Sequence, residues 1–278
     1  MPWHASLDID YQLQDAQRTV AIHRHDGPLR VFHSLYPEGP GICHNVVVHP
    51  PGGLVEGDTL DISVSVASGA HGLISTPGAT RFYRSLDGAP ATQRVRIVLA
   101  PGARFEWVPL ETIAYPGCNG HNTLDVALAE GAEWLAWDVT ALGLPGSAQP
   151  FDHGVLRQRL CIEGHWLEQG RLDAHDAALM DGPLGLAGHR CMGTLVFASG
   201  SALARSRKTQ LLEVIQSILP PDGGECPAGV TCPNDHVVVV RVLGQVVEPV
   251  MSLIQRAWAQ WRQTAWSLTG QPPRIWRV

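Results

Sequence analysis

Histidine is the most versatile chemical resource of this chain, at 13 of 278 residues, and several histidines lie close to other metal-ligating side chains. The groupings are His23 with His25, Cys43 with His44 and His49, Cys118 with His121, and Asp173 with His175 and Asp176. Imidazole is the commonest protein ligand for late first-row metals. A metal-dependent hydrolase built on His44, His49 and Asp58 is therefore one reading, and it requires the three side chains to converge on an ion that keeps an open position for water. The opposing reading is that these are isolated strand histidines in the core or on the surface. No HExxH, GxSxG, Walker A or GxGxxG leading into a helix is present, so neither an activated nucleophile nor a cofactor cradle is indicated. The six cysteines, at positions 43, 118, 161, 191, 226 and 232, contain no CxxC pair. Cys226 and Cys232 with His236 do not have a usual zinc spacing, and reduced thiols are expected.

These residues must be positioned by a scaffold rich in turns, since 29 Gly and 21 Pro accompany only 17% charged residues. Hydrophobic residues make up 45% of the chain, which is ample for a core at this length. The 20 basic and 26 acidic residues give a net charge of −6 with no concentrated positive segment, which argues against nucleic acid as a partner. No apolar run approaches the ~18 residues of a membrane span and no leader pattern opens the chain, so a cytoplasmic protein is expected.

Strict alternation from Thr59 to Val66 predicts a half-buried strand. The alternation returns around Val95 to Leu99, Phe105 to Trp107 and Leu124 to Leu128, implying many short antiparallel strands. Three stretches starting at Leu60, Gln93 and Thr123 each run from such a strand through a Gly-Ala turn, at Gly69, Gly102 and Gly131, into a second strand. Their near-regular spacing suggests a repeated supersecondary unit stacked as a sandwich or a β-helix. After about residue 200 the pattern changes. Arg205 to Leu219 carries an apolar helical face, Val237 to Val242 reads as a strand, and a second helix begins near Val247 and ends at Gly270. The expected architecture is a single mainly β domain over 1–278, with a long two-sheet β-helix-like or sandwich body over about 1–200 and a small helical element over 201–278.

The densest stretch, Gly27 to Asp58, spends turn and polar residues where a core would not need them. It reads equally as a set of tight turns in which Asp58 bonds the backbone.

Several long motifs in order resemble the urease accessory protein UreD family, also called UreH. They are LYPEG from Leu35, CHNVVVHPPGGLVEGDTL from Cys43, STPGATRFYRS from Ser75, FEWVPLETIAYPG from Phe105, WDVTALG from Trp137 and PRIW from Pro273. Where the family has two glycines before the aspartate, this chain has Glu56-Gly57-Asp58. The resemblance implies a non-enzymatic scaffold that binds UreF, reaches the GTPase UreG through it, and docks on apo-urease so that nickel enters the urease active site. It implies no stably bound cofactor, nickel only in transit, and a passage through the β body. Asp58 is the foremost passage candidate, followed by Glu38, His44, His49, Thr76, Tyr83, Glu106, Glu111 and Glu168. Weak successive oxygen and nitrogen ligands suit transit, whereas Cys43 would trap the ion as a thiolate. The resemblance places UreF on the C-terminal part, where Trp266 and Trp276 are candidate anchors. Trp258 and Trp261 share the apolar face of the second helix and read as core. A β-type ligand-binding module is the remaining alternative.

Overall fold

The three Gly-Ala turns determine how the chain folds. In the computed structural model, which describes residues 2–220 and 224–277, Gly69, Gly102 and Gly131 adopt φ of 71°, 68° and 71°, and a Cβ on Gly131 would lie 3.7 Å from the Gly102 nitrogen. The turns are stacked. Each is followed by a buried alanine, Ala70, Ala103 or Ala132, and backbone bonds such as Arg104 N–H to Ala70 O (2.9 Å) and Glu133 N–H to Ala103 O (2.9 Å) carry the rungs round the corner.

The strands before the turns are β5 (Thr59–Val66), β8 (Ala91–Leu99) and β11 (Asn119–Leu128); those after them are β6 (His71–Ser75), β9 (Arg104–Trp107) and β12 (Glu133–Leu144). Successive coils pair in parallel: β5 with β8, β8 with β11, β6 with β9 and β9 with β12. The expectation of antiparallel strands is corrected here. Alternation carries no information about direction, and each Gly turn sends the chain to the opposite sheet rather than back beside itself, which produces a β-solenoid. Antiparallel pairs flank these coils, including β1 (His4–Gln14) with β2 (Arg18–Asp26) and β14 (Val155–Ile162) with β15 (Trp166–Asp173).

One sheet has seven strands in the order β15-β14-β11-β8-β5-β1-β2. The other has eleven. Its main path is β17 (Ala228–Thr231), β18 (Val237–Gly244), β16 (Cys191–Ser199), β12, β9, β6, β4 (Ile42–Val48) and β3 (Arg30–Val31). Of the short strands, β10 (Thr112–Ala114) and β13 (Gln149–Pro150) pair with β12, and β7 (Thr80–Phe82) pairs with β10. A single turn of helix, α1 (Ala177–Met180), links β15 to β16.

A first core fills the space between the sheets, with Ile62, Val64, Val95, Ile97 and Val126 facing Ile74, Phe105 and Trp134. A second lies behind the eleven-stranded sheet, under α2 (Arg205–Gln216) and α3 (Val247–Trp266). Buried on both faces, the strands of this sheet are almost continuously apolar, as in Val237 to Val240. Two glycines seat α3: a Cβ on Gly193 would meet Val250 Cγ1 at 2.8 Å, and one on Gly244 would meet Val250 Cγ2 at 2.6 Å. The helix ends at Trp266 and not at Gly270. Ser267 turns left-handed (φ 55°), and Leu268 N–H returns to Arg262 O at 3.2 Å. No helix among the described residues is long and apolar enough to cross a membrane.

Candidate functional site

Two polar systems, one half-buried and one buried, interrupt these cores. The first is a seam between the sheets. On β8, β11 and β14 the inward positions just before the apolar rows are Gln93, Asn122 and Gln158, and parallel pairing sets them side by side. The facing sheet brings together Asp138 on β12, Thr194 on β16 and Arg241 on β18, again in register. Gln93 Nε2 donates to Asn122 Oδ1 (3.2 Å), Asn122 Nδ2 to Asp138 Oδ2 (3.4 Å), and Gln158 Nε2 to Asp138 Oδ1 (3.2 Å) and Thr140 Oγ1 (2.7 Å). Thr140 Oγ1 donates to Asp138 Oδ1 at 2.7 Å. Burial pushes the Asp138 carboxyl above its ordinary range, against these hydrogen bonds, and the nearby Glu168 charge adds to the rise.

Asp138, Asn122 and Leu124 form the wall common to two cavities. One, of about 250 Å³, is lined by His49, Thr76, Gln93 and Trp107. The other, of about 230 Å³, reaches Gln158, Thr194 and Glu168. His49 points a buried Nε2 that has no partner among the described residues. Burial lowers its pKa, with the Asp58 carboxylate opposing.

The second system lies where the C-terminal helix meets the solenoid. Arg262 is fully buried (0% exposed) and forks onto Glu38, Nη1 to Oε2 at 2.8 Å and Nη2 to Oε1 at 2.9 Å, while its Nε lies 3.1 Å from Glu106 Oε2. Glu106 also accepts from Trp258 Nε1 (2.7 Å) and bonds His71 Nε2 (2.9 Å), and Glu38 bonds His44 Nε2 (2.9 Å). Burial alone would raise the Glu38 carboxyl, but the hydrogen bonds from His44 and Arg262 hold it down at about 2. Glu106 is likewise held below the usual carboxylate range despite its burial, chiefly by Arg262 and His71. The three Arg262 nitrogens and all four carboxylate oxygens of Glu38 and Glu106 are engaged, as in a permanent joint.

The nine passage candidates are thus scattered. His49, Thr76 and Glu168 line the two cavities, whereas Glu38, His44 and Glu106 belong to the Arg262 joint. Asp58 is 3% exposed and both its oxygens accept backbone N–H groups, from Trp3 (2.8 Å) and Val55 (3.0 Å), so it ties the N-terminus to a turn. Thr76 Oγ1 also pins its loop, donating to Gly78 O and accepting from Leu110 N–H. Tyr83 packs against Tyr115 with ring centroids 4.7 Å apart and the planes tilted by 60°. Glu111 is half-buried near Cys191, whose thiol is pushed up to about 12 by burial and then by that charge. Cys43 is buried beside Tyr36 and Asn45. The three hydrolase ligands do not converge, and no group of three His, Cys, Asp or Glu able to hold a metal occurs among the described residues.

Both candidate anchors face inward. Trp266 Nε1 donates to Glu133 (2.5 Å), and Trp276 packs on Trp137 and Trp258 and donates to Ser75 Oγ (2.7 Å). Trp258 and Trp261 are core residues. The sequence reading passed over Gln93, Asn122, Gln158, Asp138, Thr194, Arg241, His71 and Arg262. The amides had a signal: each lies two positions before an apolar residue of the inward phase, at Val95, Leu124 and Leu160.

The family profile described as UreD urease accessory protein matches residues 4–277. Relatives called urease accessory protein UreD are 56% identical over 278 residues in Paracidovorax citrulli, covering all of both chains, and 54% identical over 276 residues in Variovorax paradoxus, covering 99% of each. A relative of the same description in Methylibium petroleiphilum is 46% identical over an alignment of 300 positions. The chain belongs to the UreD family. Membership makes it an accessory protein of urease maturation and not an enzyme. The UreD-like motifs build both polar systems: LYPEG supplies Glu38 to the joint, and WDVTALG supplies Asp138 and Thr140 to the seam.

Proposed function

We propose that this chain is the scaffold through which nickel(II) passes on its way to apo-urease, with UreF bound to its C-terminal layer and UreG recruited through UreF. The observation that supports it is the continuous polar row between two otherwise apolar sheet faces, with a cavity on each side of Asp138. Nickel is cargo here. A hydrated divalent ion entering a protein interior must exchange water for carboxylate, amide or hydroxyl oxygens, and a site that releases it again must be weak. Asp138 supplies one carboxylate at the midpoint, and Asn122, Gln158 and Thr194 supply neutral groups on either side, a set without thiolate or clustered imidazole. The C-terminal layer offers UreF the outer faces of α2 and α3, since the Trp266 and Trp276 indoles are used inside.

In a urease-positive host lacking this chain's gene, restoring the wild-type chain returns nickel and activity to urease. Restoring Asp138→Asn returns the complex with UreF but leaves urease nickel-poor. Full metallation by the variant overturns the passage through the seam.

A further inference from the structure

Arginine gathers on the outer face of the seven-stranded sheet, the side away from the helices. Val95, Ile97, Val126 and Leu156 of β8, β11 and β14 fill the core, so the residues that alternate with them point out. In register, Arg94 and Arg159 lie on either side of Thr123, Arg157 lies between His121 and Arg171, and Arg96 lies beside Asp125. Five arginines thus share one patch in a chain whose net charge is −6. Over β11, β14 and β15 the patch forms an open concavity of about 730 Å³, with His121, Arg157, Arg159 and Arg171 in its lining. We propose that this face docks an acidic segment of a protein partner, whose carboxylates pair with Arg96 and Arg157. The proposal is independent of the passage reading and of the helical layer offered to UreF, which covers the opposite side of the molecule.

Three observations carry it. Arg157 and Arg171 lie directly opposite each other in an antiparallel pair, an arrangement of like charges that destabilises a sheet unless a counter-charge is supplied. The face also runs short of its own carboxylates. Asp61 serves Arg94 (3.2 Å), Asp125 serves Arg159 and Asp173 serves Arg171 (2.5 Å), while Arg157 donates to the neutral Asn119 Oδ1 (2.9 Å) and His121 Nε2 (3.2 Å). Arg96 is exposed and has no ion-pair partner among the described residues. His121 adds an acceptor and not another cation, since burial and then the Arg157 and Arg94 charges lower its pKa. Finally, the surface suits protein carboxylates. Strands ~4.8 Å apart, with outward residues ~6.7 Å apart along each, present a flat grid of guanidinium forks that can take carboxylates bidentately. No Phe, Trp or Tyr occupies an outward position of β8, β11, β14 or β15 for a base to stack on, and the interleaved aspartates repel a continuous phosphate backbone.

The test is fluorescence anisotropy of labelled poly-L-glutamate titrated with the full-length chain at low salt, with duplex DNA and inorganic phosphate as competitors. Arg96→Glu with Arg157→Glu is expected to weaken binding by about tenfold or more. Arg205→Glu with Arg256→Glu, the same charge change at exposed positions of α2 and α3 on the opposite layer, is expected to stay within about twofold of wild type. Equal losses in the two double variants would reduce the binding to net charge and overturn the proposal. Duplex DNA binding more tightly than poly-L-glutamate would overturn it too, as would displacement by phosphate beyond that by chloride at equal ionic strength. Arg96 has no pairing to lose, so Arg96→Glu alone decides the matter if the double variant fails to fold: about threefold weakening supports the docking face, and unchanged binding overturns it.

Discussion

The Arg262 joint and the Asp138 seam both place a carboxylate inside an apolar body, yet they are built to opposite rules. Around Arg262 the guanidinium, Glu38, Glu106, His44, His71 and Trp258 satisfy one another, and the arginine is wholly enclosed. Along the seam the side chains are mostly neutral amides and hydroxyls, the one central carboxylate is disfavoured in its charged form, and space is left on both sides. Fully paired buried charge fixes structure; neutral polar groups beside free volume leave room for a guest. α3 is clamped to the solenoid by Arg262, whose partners are 156 and 224 positions away.

Arg262→Ala strands Glu38 and Glu106 in the core and is expected to cost about 3–5 kcal/mol, read as a fall in the urea midpoint or outright loss of soluble chain. A loss under about 1 kcal/mol would show that the joint is not a clamp. Gly193→Val drives a side chain into Val250, already only 2.8 Å from an added Cβ, and is expected to cost about 1–3 kcal/mol by lifting α3. Asp58→Ala leaves two backbone N–H groups unserved and is expected to cost about 1–3 kcal/mol. If it instead preserves stability and complex formation while lowering nickel in urease, Asp58 acts in transit.

Acid sharpens the contrast. The folded Glu38 carboxyl sits at about 2 against an ordinary 4.5, so its stabilising contribution is complete above pH 4.5 and is lost as the pH falls toward 2. The urea midpoint should therefore drop across that window in wild type and less in Glu38→Gln. Asp138 has the opposite sign. Its carboxyl is raised above the ordinary 3.8, so its contribution is complete below that value and is lost as the pH rises through the folded value. Asp138→Asn removes that loss and is expected to be as stable as wild type or slightly more so at neutral pH, the smallest effect of the series.

Much of the solenoid was legible in the sequence. Alternation marked β5, and the Gly-Ala corners fixed where the chain turns; strand direction was hidden because a period of two is the same in either pairing. The seam was half legible. Gln93, Asn122 and Gln158 hold the inward phase of their strands, but their convergence with Asp138 needs the parallel register. Arg262 follows Trp258 by four residues and so shares its buried face, yet an arginine in a helix reads as solvent-facing until its distant carboxylates are known. By residue type Asp58 suits a turn and a metal alike, and its two oxygens accept the Trp3 and Val55 N–H groups.

Passage through the seam is decided by the nickel content of urease purified from a host carrying Asp138→Asn in place of the wild-type chain, with the bound UreF measured in the same preparation. The seam predicts a stable variant, a normal complement of UreF and nickel-poor, inactive urease. Nickel-replete urease at equal UreF occupancy would contradict it.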